Sequence, residues 1–140
     1  MIRILGVDPG SRATGYGVVD VSNNRLVHVA HGAITTLASE PLAFRLEKIF
    51  NGLREVSAKY GPAEAGVENI FHARNAQSAL KLGHARGVAL LAAQLDGLVV
   101  AEYTPLQVKS AVVGYGKATK EQVQEMVKRL LALQVKLQPD

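Results

Sequence analysis

The spacing between apolar segments limits the folds open to this chain more than any other feature does. Three apolar segments, at residues 2–8, 14–21 and 25–34, are joined by short turn-forming links, Pro9-Gly10 and Ser22-Asn23-Asn24. Links this short imply antiparallel hairpins, because parallel neighbours need a long crossover connection. The chain is therefore predicted to begin as three antiparallel β-strands.

A helical period replaces the strand pattern after Pro41. Apolar residues then recur every three or four positions until Gly61-Pro62, which predicts a helix, and residues 63–68 form the next strand. A strand, a crossover helix and a second strand in one sheet form a right-handed parallel unit. We therefore expect the strand at residues 63–68 to lie beside the first strand and parallel to it.

Helices and one more strand account for the rest of the chain. A helix capped by Asn75, a fifth strand, a short helix and a last helix are predicted at residues 75–95, 98–103, 105–112 and from a capping box at 119–122. The predicted fold is a single α/β domain over residues 1–140, in which helices flank a five-stranded mixed sheet.

The composition restricts the setting in which the chain works. It contains no cysteine and so no disulfide, which favours a reducing compartment. No apolar run approaches the length of a spanning helix and no signal-peptide pattern opens the chain, so we expect a soluble, cytoplasmic protein. Sixteen Lys and Arg against twelve Asp and Glu give a net charge of +4. That excess suits a polyanion such as DNA, although an ordinary solvated surface also accounts for it.

Two carboxylates end strands that are predicted to be neighbours. Asp8 ends the first strand and Glu68 ends the strand at residues 63–68, so the parallel unit places both at the edge where open α/β sheets bind ligands. Carboxylate oxygens suit Mg²⁺ or Mn²⁺, and two such ions about 4 Å apart can promote phosphodiester hydrolysis. Asp140 is the candidate for a third ligand. In the alternative interpretation, Asp8 caps a turn, Glu68 is a solvated strand end and Asp140 is an ordinary polar terminus.

Three long segments read VDPGSRATGYGVV at 7–19, VENIFHARNAQSALKLGHARG at 67–87 and EYTPLQVKSAVVGYGKATKEQVQEMV at 102–127. Together they resemble the bacterial RuvC family of Holliday-junction resolvases, and the resemblance runs over nearly the whole chain. It implies a ribonuclease H-like fold and a homodimer that cuts four-way DNA junctions symmetrically. It also implies branch-migration proteins as partners in DNA recombination and repair.

The resemblance further implies four acids that hold two Mg²⁺ ions, for which Mn²⁺ can substitute. Asp8 and Glu68 match the first two acids, and Asp140 matches the first Asp of a closing Asp-x-x-Asp segment. The second Asp of that segment and the helix that carries it lie beyond the 140 residues. We therefore expect the domain to be incomplete at its C-terminal helix, and cleavage by this chain to be weak or absent.

Aromatic and basic residues near the acids are candidates for contact with DNA. Phe71 could be an ordinary core residue, but it matches a family position that stacks on an unpaired base. Lys109 and Lys120 match family positions near the scissile phosphate, where an ammonium group can neutralise developing charge. The remaining candidates for DNA contact are Arg74, Asn75 and Lys81. Each basic residue could instead be a solvated helix charge.

Gly83 and Gly87 stand four residues apart inside the predicted helix at residues 75–95. A glycine in a helix costs about 1 kcal/mol relative to alanine, so the pair suggests the close approach of another backbone. That backbone belongs either to a helix of the same domain or, as the family resemblance implies, to a symmetric second copy of the chain.

Three other functions are alternatives to the one that the resemblance implies. Asp-x-Gly-Ser after a first strand is also typical of sugar kinases and actin-like ATPases, but these need a second domain that 140 residues cannot provide. A YqgF-type ribonuclease of pre-ribosomal RNA has a similar length and sheet, but lacks the pattern of residues 71–87. The third alternative is a catalytically weak or inactive junction-binding module, because the fourth acid is not in the sequence.

Overall fold

A computed structural model describes residues 1–22, 25–68 and 75–103 of the chain. The elements in chain order are β1 (Ile2–Asp8), β2 (Ala13–Ser22), β3 (Arg25–Thr35), α1 (Leu42–Tyr60), β4 (Glu64–Glu68), α2 (Ala76–Leu95) and β5 (Val99–Tyr103). Each predicted element within the described ranges is present, with ends that agree with the prediction to within one residue. The helices predicted at 105–112 and from 119 onward lie outside these ranges.

The five strands form one mixed sheet in the order β3-β2-β1-β4-β5. β1 and β3 both pair with β2 in antiparallel fashion, as the short links predict. β4 pairs in parallel with β1 on one side and with β5 on the other. The predicted five-stranded mixed sheet, with β4 parallel to β1, is therefore confirmed.

The core lies between one face of this sheet and the two helices. Its buried residues include Leu5, Val7, Val18, Ala65 and Val67 from the strands, Ile49, Leu53 and Val56 from α1, and Ala85, Ala89, Ala92 and Ala93 from α2. Since the fully buried residues of α2 are all alanines, its backbone packs closely against its neighbours. Alternate residues of β1 point to the opposite face, where Ile4 is also buried.

The C-terminus of α1 and the N-terminus of α2 follow from local sequence signals. Gly61 takes a left-handed conformation with φ of 59°, and its N–H donates to the carbonyl oxygen of Ser57 at 2.8 Å. At the start of α2, the Asn75 side chain accepts a hydrogen bond from the N–H of Ser78 at 2.8 Å. Both the glycine stop and the asparagine cap are therefore confirmed.

One arginine ties three elements together at the amino edge of β1. Arg3 donates two hydrogen bonds to the Asp20 carboxylate in β2, at 2.7 and 2.9 Å, and a third to the Tyr60 carbonyl oxygen at 2.7 Å. The Arg3 hydrogen bonds hold the pKa of Asp20 below its usual value. Sequence inspection did not identify this contact, because its partners are distant along the chain.

Gly83 and Gly87 lie on an exposed part of α2, where the sequence suggested the close approach of another backbone. A Cβ atom built at either glycine would meet nothing within 4 Å, and both residues are exposed. Within the described ranges, no helix of the same domain approaches these glycines, whereas the helices predicted at 105–112 and from 119 lie outside those ranges, so both alternatives stay open. No helix in the described ranges is long and apolar enough to span a membrane.

Candidate active site at the carboxyl edge of the sheet

The two strand-ending acids occupy matching positions on neighbouring parallel strands. Val7 of β1 pairs with Val67 of β4, so Asp8 and Glu68, which follow them, share the next register position. Each is the last residue of its strand. The predicted placement of the two residues side by side at one edge is therefore present in the backbone. Their role as metal ligands stays a prediction.

The crevice beside these residues is formed by the order of the strands. From β1 the chain continues to β2 on one side, whereas β4 lies on the other side and the chain continues from it to β5. Strand order thus reverses between β1 and β4. Open α/β sheets bind ligands at the carboxyl ends of strands where such a reversal occurs.

Asp8 is a half-buried carboxylate without a described counter-charge. Its side chain is half-buried, and no donor in the described part of the chain makes a hydrogen bond or an ion pair with it. A partly buried carboxylate without a counter-charge costs free energy. A hard divalent cation with oxygen ligands would offset that cost, so the donor chemistry fits Mg²⁺.

The loop after Asp8 is held in place by two threonines. The Thr14 hydroxyl donates to the Gly10 carbonyl oxygen at 2.9 Å and accepts from the Gly10 N–H at 3.2 Å. From the other side, the Thr36 N–H donates to the Arg12 carbonyl oxygen at 2.8 Å, and the Thr36 hydroxyl donates to the Ser11 carbonyl oxygen. Both threonines are buried. They fix the direction in which the chain leaves Asp8.

The tight turn of this loop explains the glycine within it. A Cβ atom at Gly10 would lie 2.3 Å from the Ala13 carbonyl oxygen, a distance at which the backbone has to shift. Sequence analysis did not single out Thr14 or Thr36. For Thr14 the available signal was a hydroxyl residue four positions after Gly10 of a Pro-Gly turn, which commonly hydrogen-bonds local backbone, whereas Thr36 is distant in sequence from the turn.

The N-terminus of α2 lies at the same edge as the acids. α2 connects two parallel strands, β4 and β5, and must therefore run back from the carboxyl edge to the amino edge. Asn75 begins this helix, and the exposed Lys81 follows within its second turn. Because the side-chain oxygen Oδ1 of Asn75 caps the helix, the side-chain NH₂ group of Asn75 remains as a hydrogen-bond donor at this edge.

The other predicted site residues are not in the described ranges. They are Phe71, Arg74, Lys109, Lys120 and Asp140. Among the residues that are described, no group of three or more His, Cys, Asp or Glu could hold a metal ion. The predicted third ligand, Asp140, is thus not tested by this geometry.

Three antiparallel strands followed by two parallel ones, with an acid ending each of the central strands β1 and β4, define a ribonuclease H-like protein. The family model described as crossover junction endodeoxyribonuclease RuvC matches residues 4–140. The chain therefore belongs to the RuvC family.

Individual relatives agree with this assignment. The chain is 60% identical over 132 residues to crossover junction endodeoxyribonuclease RuvC of Geobacter metallireducens, covering 94% of this chain and 80% of that protein. It is 56% identical to the Pseudomonas fluorescens RuvC over all of its own length and 80% of the relative's. The fold superposes on a Thermus thermophilus RuvC structure described as a complex with Holliday junction substrate, with a TM-score of 0.74 and 35% identity. That match covers 91% of this chain and 78% of the other.

Proposed function

We propose that this chain binds four-way DNA junctions and cleaves their phosphodiester bonds by metal-dependent hydrolysis at the Asp8–Glu68 edge. The observation that carries the proposal is the shared register position of these two acids on parallel strands. Membership of the RuvC family supports the DNA substrate, because a Thermus thermophilus relative is described in complex with a Holliday junction. It also argues against the YqgF-type alternative.

The residues that would hold the metal are Asp8, Glu68 and Asp140. Two bound Mg²⁺ ions would activate a water molecule and stabilise the leaving oxygen of the phosphodiester. Oxygen ligands without histidine or thiolate favour Mg²⁺, with Mn²⁺ as a substitute. Asp8 would contribute a carboxylate at the end of β1, directly before a loop that the Thr14 and Thr36 hydrogen bonds hold in place.

Other residues of the chain would position the DNA. Lys109 and Lys120 would neutralise charge at the scissile phosphate, and Phe71 would stack on an unpaired base. The candidates for contact with the phosphate backbone are Arg74, Asn75 and Lys81. Placement of Asn75 and Lys81 at the start of α2 supports this arrangement, since that helix end lies at the edge that carries the acids.

We also propose that two copies of the chain associate through α2. The face of α2 opposite its core alanines carries Leu80, Gly83, Gly87, Leu91 and Leu95. Leu80 is 61% exposed, Leu91 51% and Leu95 55%, and none of the five residues is charged. A helix that is apolar on two faces needs a second covering surface. The open space at both glycines would let a symmetric partner helix approach closely.

A dimer of this kind suits a four-way junction. Two copies related by a two-fold axis would present two metal sites, one to each of two strands of the junction. Such an enzyme would act in DNA recombination and repair in the cytoplasm, beside branch-migration proteins.

Junction binding and cleavage by matched variants test the proposed function. The wild-type protein is expected to bind a four-way junction at least tenfold more tightly than a linear duplex of the same length. Any nicking with Mg²⁺ should be lost in Asp8→Asn, whereas junction binding should survive because one negative charge facing phosphate is removed. Glu55→Gln, which changes an exposed acid of α1, is the control and should leave both properties unchanged.

Two results would contradict the proposal. Equal affinity for junction and linear DNA would indicate a generic basic protein. Metal-dependent nicking that Asp8→Asn leaves intact would place the catalytic site elsewhere.

A further inference from the structure

A β-bulge in the edge strand β3 brings two histidines to one face of the sheet. Val18 of β2 pairs with Ala30, whereas the next residue, Val19, pairs with His28, so one residue of β3 is left over. Residues three apart in a regular strand point to opposite faces. Here His28 lies opposite Val19 and His31 lies opposite Gly17, which are two apart in β2 and so share a face.

The two imidazole rings converge. Nε2 of His28 lies 3.1 Å from Nδ1 of His31, and the ring centroids are 5.2 Å apart. Two nitrogens bound to one ion at about 2.05 Å are separated by about 2.9 Å at a right angle and by about 3.3 Å at the tetrahedral angle. The observed distance between the nitrogens lies between these values. The contact is a hydrogen bond between the rings, so a bound ion would displace the proton that lies between the two nitrogens.

The protonation of His28 also suits metal binding. Desolvation lowers the pKa of His28 below its usual value, and the neighbouring His31 lowers it further. His28 is therefore in the neutral form that ligates metals at neutral pH.

The class of ion follows from the ligands. Imidazole nitrogen suits Zn²⁺, Ni²⁺ and Cu²⁺, whereas Mg²⁺ takes oxygen ligands. No third His, Cys, Asp or Glu of the described ranges joins the pair, so water or a second molecule would complete the coordination. Both histidines are exposed, which leaves room for those further ligands.

The pair is separate from the acid edge. Gly17, the partner of His31, pairs in turn with Gly6 of β1, and Asp8 stands two residues further along that strand. Two strand spacings of about 4.8 Å and two residues along β1 thus separate the histidines from Asp8.

We propose that His28 and His31 form a two-histidine binding site for a divalent transition-metal ion of the Zn²⁺, Ni²⁺ or Cu²⁺ type, distinct from the carboxylate site. The site lies on the edge strand of the sheet and exists because the bulge breaks the alternation of β3. It is independent of whether the protein cleaves DNA.

Calorimetric titration with Zn²⁺ in the presence of excess Mg²⁺ tests this site. The wild-type protein is expected to bind one Zn²⁺ per chain, and His28→Gln and His31→Gln should each weaken binding at least tenfold. His84→Gln, at a histidine of α2, is the control and should bind as the wild type does. Asp8→Asn should also leave this affinity unchanged. In ¹⁵N spectra, Zn²⁺ should shift Nε2 of His28 and Nδ1 of His31.

Circular dichroism of His28→Gln and His31→Gln shows whether these variants, both at exposed positions, retain the fold. Zn²⁺ affinity that is the same in the wild type, His28→Gln and His31→Gln would overturn the proposal. Loss of the Zn²⁺ site in Asp8→Asn, or no binding by the wild-type protein, would do so as well.

Discussion

Single residues around Asp8 determine how well this carboxylate is oriented. Thr14, Thr36 and Gly10 make no contact with the Asp8 carboxylate itself, but they shape the loop that directly follows Asp8 at the end of β1. A carboxylate next to a rigid loop binds a metal ion with less loss of conformational freedom than one next to a mobile loop. The contribution of these residues to the site is therefore geometric.

Gly10→Ala tests this dependence on loop geometry. The new Cβ atom would come within 2.3 Å of the Ala13 carbonyl oxygen, so the loop has to move. We expect a lower melting temperature and at least tenfold weaker Mg²⁺ or Mn²⁺ binding. Ser11→Ala is the matched control, because only the backbone carbonyl of Ser11 is used by Thr36. Metal affinity that is equal in Gly10→Ala and Ser11→Ala would show that the loop does not position Asp8.

Lys81→Ala tests the proposed DNA-facing end of α2. Each phosphate contact contributes about 0.9 to the slope of log affinity against log salt concentration, so loss of one contact should flatten the slope by about that amount. Lys59→Ala is the control, because Lys59 lies in the last turn of α1, at the opposite edge of the sheet. Junction binding measured at several salt concentrations gives both slopes. An identical slope for Lys81→Ala and the wild type would remove Lys81 from the interface.

Secondary-structure elements were the most predictable level of this molecule. The strand and helix periods, Gly61 and the Asn75 cap located every described element to within one residue. The placement of Asp8 and Glu68 at one edge was also predictable, because a strand reached through a crossover helix runs parallel to the strand before it and hence to β1. By contrast, the bulge opposite Val18 and Val19, the Thr36 contact and the Arg3–Asp20 pair depend on partners distant in sequence. No local pattern encodes them.

The Arg3–Asp20 pair joins elements, and its effect should depend on pH. Because the folded state lowers the pKa of Asp20, the pair stabilises the fold above the unfolded-state pKa of about 3.9 and loses that effect as pH falls through the folded-state value. Asp20→Asn should therefore lower the melting temperature at pH 7, and the difference from wild type should shrink below pH 4. Glu55→Gln, at an exposed acid, is the control. A difference that stays constant from pH 7 to pH 3 would contradict this role of the ion pair.

At the scale of the whole molecule, the proposed dimer rests on the exposed apolar residues of α2, which are Leu80, Leu91 and Leu95. Leu91→Glu places a charge among these residues, and we expect it to convert a dimer into a monomer without unfolding the chain. Leu37→Glu is the matched control, because Leu37 is 64% exposed and lies outside α2. Sedimentation equilibrium measures the mass of both variants. A wild-type protein that is monomeric at all accessible concentrations would contradict the proposed dimer.

The proposed dimer contact and the acid edge are connected through α2. α2 begins at the edge that carries Asp8 and Glu68, and its exposed apolar face extends along the same helix. Association through that face would therefore fix the two metal sites relative to each other. Symmetric cutting of a junction requires such a fixed separation.

The central claim is that Asp8 and Glu68 hold a metal ion together, and Mn²⁺ binding measured by electron paramagnetic resonance tests it most directly. Competition with Mg²⁺ identifies binding at oxygen ligands, and Asp8→Asn and Glu68→Gln remove one carboxylate each. We expect each substitution to weaken Mn²⁺ binding at least tenfold, whereas Glu55→Gln binds as the wild type does. Wild-type affinity for Mn²⁺ in both Asp8→Asn and Glu68→Gln would contradict the account.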